Sequence, residues 1–484
     1  MKGTQLAAGL PQFYLTRWRC TGRALPGRLS GGGELALSSW MRNAALALAV
    51  FFAIGQAAAA HQGGGVSLLR DTEVESDIRT MMTPIWKAAG LDPDAVHVYL
   101  VADGSINSFV AGGQNIFINS GLLLRAKTPN QLIGVLSHET GHIAGGHLYK
   151  GAEAMRNASI EEIIAMIAGA AATAASRGTG GGAALLGAAG VGQRAMAQFS
   201  LGQEATADHA ALNYLDATHQ SARGLLEFFE VLQGEEFLSG ESRDPYLIDH
   251  PLTEERIRYV REHVERSPYS NAPDTAANIA MLARMKVKLS AFVQPPSTTL
   301  ASYPASDQSV LARYARAIAY YRIPQLDQAL PIIEGLIRQY PSDPYFRELK
   351  GQMLFENGRI GDAIGPYQEA VRLAPAAALL RIGLAQAYIE NHDPAQDRLA
   401  IAYLKDAVRT EDKEPTAWHL LATAYGRDNQ MGMAALALAE EGLAADDQKQ
   451  AVREALRAQH LLPKGSAAHA RADEIRREAK AIDE

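Results

Sequence analysis

A fixed period of 34 residues in the C-terminal half constrains this chain more than any other feature. Tyr320, Ala329 and Pro341 recur 34 positions on as Leu354, Ala363 and Pro375, and Ala317, Gly351 and Ala385 keep the same step. A later unit reads Trp418-x-x-Leu421-Ala422-x-x-Tyr425 with Ala434 behind it, its spacing stretched by three residues around Asp393-Pro394. Small side chains at fixed positions let two helices approach closely, and a single pair cannot bury its apolar face without the next. Residues 307–484 are therefore expected to stack as an all-α solenoid finishing in C-terminal helices. A generic bundle would not hold a period.

The small and aromatic positions match the tetratricopeptide repeat. Upstream the pattern changes. Helical periodicity from about residue 68 to 265 surrounds a β-rich run, Asn115-Ile116-Phe117-Ile118-Asn119, bounded by Gly112-Gly113 and Gly121. Helical patterns cover about 130–149, 200–215 and 222–232, and residues 267–306 read as a connector with one helix over 277–289. The fold is thus expected to be mainly α, with an α+β domain over 61–266 ahead of the repeats.

After Met41 come Arg42-Asn43, an apolar run from Ala44 to Ile54 and a small-residue stretch ending before His61. This is the layout of a cleaved secretory signal over 41–60, and the run is shorter than the roughly 20 apolar residues that span a bilayer. Residues 1–40 then read as an over-extended start. They contain the single cysteine, Cys20. Residues 1–60 carry six basic side chains against Glu34, which leaves the remainder near −12 from a whole-chain −7. An acidic, cysteine-free exported protein suits the bacterial periplasm. That charge, with no glycine-rich phosphate loop, argues against nucleic acid as a partner. Between 160 and 192, two Ala/Gly-rich arms flank Ser176-Arg177-Gly178-Thr179-Gly180-Gly181-Gly182. Neither arm is long enough to span. A tightly packed helical hairpin fits them as well as a segment that lies on a membrane surface or forms a mobile flap over a cleft.

The chemistry centres on His138-Glu139-Thr140-Gly141-His142. Positions i and i+4 of a helix differ by about 40° in azimuth, so both imidazoles leave one face and Glu139 lies beside them. Two imidazoles suit a zinc ion, one per chain, with Glu139 as the base that deprotonates the activated water. Two surface histidines on a helix are the bland alternative, but apolar residues flank the motif on both sides, and burying it without a use is costly. A third protein ligand is needed. His147 nearly completes a longer histidine motif, yet on a continuing helix it lies about 140° from His142 and faces away. Glu204 is the better candidate, 62 positions after His142, with Asp208 one turn on to orient a ligand imidazole. Ala205, Ala207, Ala210 and Ala211 weaken the alternative of a solvated carboxylate face.

Beyond these, His250 precedes Pro251, which favours an extended loop. From such a loop His250 is placed to fill the fourth metal position and hold the enzyme inactive. The alternative is that His250-Pro251 caps a helix starting near Leu252, with Thr253 or Asp249 helping. Arg256 is expected to steady this loop or a substrate carbonyl.

Together, HETGH, the Glu204-x-x-x-Asp208 pair and His250-Pro251-Leu252-Thr253-Glu254-Glu255-Arg256-Ile257 resemble the zincin-type peptidase family of HtpX and the CAAX prenyl protease. Asn107-Ser108-Phe109, Gly112-Gly113 and Ser120-Gly121-Leu122-Leu123 resemble that family's edge strand, with Ser108 standing where Ala is common. The resemblance implies Glu204 as third ligand, Asp208 as its helper, and Asn107 and Phe109 at the substrate. It further implies an endopeptidase that cleaves misassembled outer-membrane proteins. Its implied partners are the outer-membrane barrel assembly machinery, engaged through the repeats, and lipopolysaccharide-transport components. The rival reading is an assembly chaperone or adaptor that acts mainly through the repeats, with proteolysis secondary.

Overall fold

The computed structural model describes residues 68–147, 160, 163, 201–239, 246 and 249–483. The expected signal and start segment lie outside them. So does the 160–192 segment, apart from Ile160 and Ile163, which are helical and buried.

One small sheet organises the first domain. Strands β1 (Leu68–Leu69), β2 (His97–Val101), β3 (Ser108–Ala111) and β4 (Asn115–Asn119) lie in the order β1-β2-β4-β3. β2 and β4 run parallel, and β3 returns antiparallel onto β4 through Gly112-Gly113. Both glycines take positive φ, 59° and 107°, which other residues adopt only with strain. Tyr99, Phe117 and Phe109 stack across three strands with ring centroids 5.3 and 4.9 Å apart. The predicted β-rich run is therefore an inner strand, and β3 is the outer one.

Among the described residues, helices α1 (Thr72–Ala88), α2 (Ser120–Arg125), α3 (Pro129–Ala144), α4 (Leu201–Ala217), α5 (Arg223–Ser239) and α6 (Glu254–Arg266) accompany this sheet. Thr128 caps α3 and Pro129 opens it, and every residue from Gln131 to Ile143 is buried. Two glycines let other helices reach its backbone. A Cβ on Gly134 would lie 2.9 Å from Leu225 of α5, and one on Gly141 would lie 2.7 Å from the Ala207 carbonyl of α4. The helix stops short of its predicted end because Gly145-Gly146 breaks it, Gly146 at φ 62°.

The predicted connector is largely helical, as α7 (Ala276–Val293) and a short helix Pro296–Ser302. Lys288 of α7, 2% exposed, lies 2.8 Å from Asp71 and 3.1 Å from Glu73 at the start of α1. Tyr314 of the first repeat donates to Glu73 at 2.7 Å, and Thr72 donates to Glu348 at 2.6 Å. A buried polar seam thus joins the peptidase-side helix to the repeats.

Among the described residues the repeats form five helix pairs, from Val310–Arg322 with Leu326–Gln339 to Gln448–Leu461 with Ala467–Asp483. Ala317, Ala385, Ala329 and Ala363 are fully buried, and a Cβ on Gly351 would sit 2.9 Å from Tyr367. The three extra residues are not at Asp393-Pro394, where the turn matches its counterparts in length. They lengthen the loop 408–414 ahead of Pro415–Arg427. From that loop Glu411 and Glu414 each reach Arg70, at the end of β1, at 2.9 Å. No helix of the described residues is long and apolar enough to cross a membrane.

Candidate metal centre

The close approach at Gly141 brings α4 against the motif helix and sets the site. His138 and His142 place their Nε2 atoms 3.1 Å apart. Glu204 of α4 lies 3.4 Å from the first and 3.2 Å from the second. His250 Nδ1 lies 3.4 Å from His138 Nε2 and 3.2 Å from Glu204 Oε1. All four side chains are buried, and their donor atoms lie within 4.8 Å of one another. A tetrahedron with arms of about 2.0–2.1 Å has edges of about 3.3 Å. The donor separations of 3.1–3.4 Å are thus in the range that a transition-metal ion with nitrogen and oxygen ligands requires.

The surroundings orient these donors. Asp208, one turn after Glu204, lies 2.9 Å from His138 Nδ1, and a carboxylate there favours the tautomer whose Nε2 lone pair faces the centre. Arg256 forks onto both Asp208 oxygens at 2.7 and 2.9 Å and reaches Glu204 at 2.7 Å. It also donates to the Pro251 carbonyl at 2.9 Å and lies 5.1 Å from the Phe229 ring. One guanidinium thus ties α4 to the segment that carries His250. On α4 only Ala207 and Ala211 of the four expected alanines are buried, beside Glu204 and Asp208, while Ala205 is exposed.

Charge follows this packing. Burial opposes ionisation of Glu204, but its imidazole neighbours hold its carboxyl well below the usual range. Burial pushes His142 down to about 3 against the pull of Glu204. Burial also acts on His138, where Asp208 and Glu204 override it and raise the imidazole to about 9. Glu139 is pushed up by burial, opposed by His250, His138 and the Ser108 hydroxyl. A carboxylate of raised basicity is the property a general base needs.

His250 is held more firmly than an independent loop residue. Its N–H bonds to the Tyr246 carbonyl at 2.7 Å, and the Tyr246 ring stacks on its imidazole at 4.6 Å. Its Nε2 lies 3.3 Å from the Ser108 carbonyl and 3.6 Å from Glu139 Oε1. Thr253 alone caps α6, whereas Asp249 accepts from Asn107 Nδ2 at 3.0 Å.

Asn107 and Phe109 are both buried, and Phe109 belongs to the ring stack of the sheet. What the strand offers outward is backbone. The bond from Asn119 N to Asn107 O turns residues 107, 109 and 111 toward β4, so the peptide groups of Ser108 and Val110 face the outer edge. His147 does not face away from the site. Its N–H bonds to His142 O at 2.9 Å beyond the Gly145-Gly146 break, and its ring stands 5.3 Å from that of His142. It lies outside the four-residue cluster. Sequence reasoning missed the Ser108 and Asp249 bonds, whose partners are too distant along the chain for any spacing to signal them. It also missed Tyr246, although the spacing of four to His250 is that of one helical turn and could have pointed to it.

Residues 68–264 match the model of peptidase family M48, and residues 314–378 match that of the tetratricopeptide repeat. The chain therefore carries an M48 metallopeptidase domain followed by tetratricopeptide repeats. Its similarity to the beta-barrel assembly-enhancing proteases runs across both. It is 24% identical to that of Yersinia pestis over 357 residues, 72% of each chain. It is 24% identical to that of Escherichia coli K12 over 417 residues, 85% of this chain and 84% of the relative. Metalloprotease LoiP of the same strain is 29% identical over 195 residues, 39% of this chain and 71% of that protein.

Proposed function

We propose that this protein is a zinc endopeptidase of the bacterial periplasm that cleaves outer-membrane proteins whose assembly has failed. The observation that carries the peptidase reading is the set of four buried donors within 4.8 Å of one another, with Glu139 beside them. His138, His142 and Glu204 would hold zinc, which supplies Lewis-acid polarisation of a carbonyl and acidifies water. Glu139 takes the proton of the attacking water and passes it to the leaving amine. Asp208 and Arg256 keep His138 and Glu204 in orientation. An extended substrate adds to the outer edge of β3 through the backbone of Ser108 and Val110. In the resting state His250 occupies the fourth donor position and approaches the Ser108 carbonyl, so it stands where both water and substrate must go. It keeps the enzyme inactive until a client, such as an unfolded substrate, or the repeat domain displaces it. The cellular role rests on the relatives named for enhancing beta-barrel assembly and on the apolar run at 44–54. In that role the repeats engage the barrel assembly machinery.

The test uses the purified chain and casein as an unfolded substrate. The expected result is one zinc per chain, with cleavage abolished by a chelator and restored by zinc. Undiminished cleavage by the metal-free protein would overturn the reading.

A further inference from the structure

Ser108 opens the outer strand and is fully buried, yet it carries a hydroxyl. Strand geometry sends alternate side chains to opposite faces, and Phe109 takes the face of the ring stack. Ser108 therefore points to α3, where its Oγ donates to Glu139 Oε1 at 3.1 Å. Glu139 Oε2 has no hydrogen-bond partner among the described residues, and His250 Nε2 stands 3.6 Å from Oε1. A glutamate side chain has several accessible rotamers, and a single bond from a rigid strand selects among them. The same residue turns its carbonyl to the outer edge of β3.

We propose that Ser108 is a positioning residue for peptide hydrolysis, its hydroxyl fixing the Glu139 carboxylate against the strand that presents the substrate. Side chain and backbone of one residue then hold the base and the bound strand in a common register. This rests on the zinc-peptidase reading above.

The test compares full-length wild type, S108A and S108T. S108A should lower kcat about 10-fold, within the usual range for removing a supporting hydrogen bond, with KM and zinc content unchanged. S108T, which keeps the hydroxyl, should recover most of the loss. A second readout needs no activity: thermal unfolding of the zinc-free protein. S108A should lower Tm by about 1–2 °C when Glu139 is present and should not lower it in an E139A background, where the buried hydroxyl has lost its partner. An unchanged kcat, a rise in KM alone, lost zinc, or equal Tm shifts in both backgrounds would overturn the proposal. If instead E139Q cleaves normally, the zinc-peptidase reading falls and the role of Ser108 in hydrolysis falls with it. The Tm comparison would still report whether Ser108 holds Glu139.

Discussion

Gly141 faces the carbonyl of Ala207 so closely that a Cβ at position 141 would lie 2.7 Å from that oxygen. Backbone-to-backbone contact between α3 and α4 is what allows Glu204 to reach the two histidines. G141A should push α4 outward and weaken zinc retention by about 10-fold or more, the size typical of disturbing the support of a metal ligand. Competition with a chromophoric chelator measures this, with circular dichroism to check that the helices persist. Wild-type retention in a folded variant would remove the glycine from the account.

Ligand identity is tested by comparing carboxylate and imidazole variants. E204A should lose zinc sharply, because it removes a donor 3.2–3.4 Å from both motif histidines. D208N should cost about 10–100-fold, since it disturbs the orientation of His138 and the Arg256 fork without removing a donor. H147A should barely change zinc content despite its nearness to His142, because it stands outside the donor cluster. Metal analysis of the three proteins decides. Loss in H147A with retention in E204A would reassign the third ligand.

The resting position of His250 predicts a gain of function. H250A should raise basal cleavage, including self-cleavage, while zinc stays bound by the remaining donors. Equal or lower activity with full zinc would leave His250 as a structural group or a transition-state donor.

The seam between α1 and the repeats predicts a pH dependence. Burial pushes Asp77 up to about 7, with Glu73 reinforcing the shift and Arg284 and Lys288 opposing it. Glu348 is raised in the same direction by burial. A carboxyl raised in the folded state keeps its proton where the unfolded chain has lost it. Its stabilising effect is complete below the ordinary carboxylate range, about pH 4, and is lost as pH rises through about 7. Tm should therefore fall between pH 5.5 and 8, and D77N should flatten that fall. An unchanged slope in D77N would show that Asp77 contributes nothing to it.

What was legible in the sequence follows from distance along the chain. His138, Glu139 and His142 share one helical turn, and the 34-residue period repeats one local unit, so both could be read directly. The exclusion of His147 from the donors agrees with the cluster, but the direction read for its side chain failed, for an equally local reason. It assumed that the helix continued through Gly145-Gly146, and the left-handed Gly146 ends it. The Arg256 fork on Asp208, the Ser108 bond to Glu139 and the Asn107 bond to Asp249 join residues 31 to 142 positions apart. No periodicity encodes such contacts. The added length in the repeats was visible but misplaced, because its use, Glu411 and Glu414 on Arg70, exists only once the two domains meet.

If Glu139 is the base and not a ligand, its substitution must stop cleavage and leave the metal in place. Zinc content and casein cleavage measured together on E139Q decide this. The expected result is one zinc per chain and no cleavage. Cleavage at the wild-type rate with zinc in place would overturn the role given to Glu139.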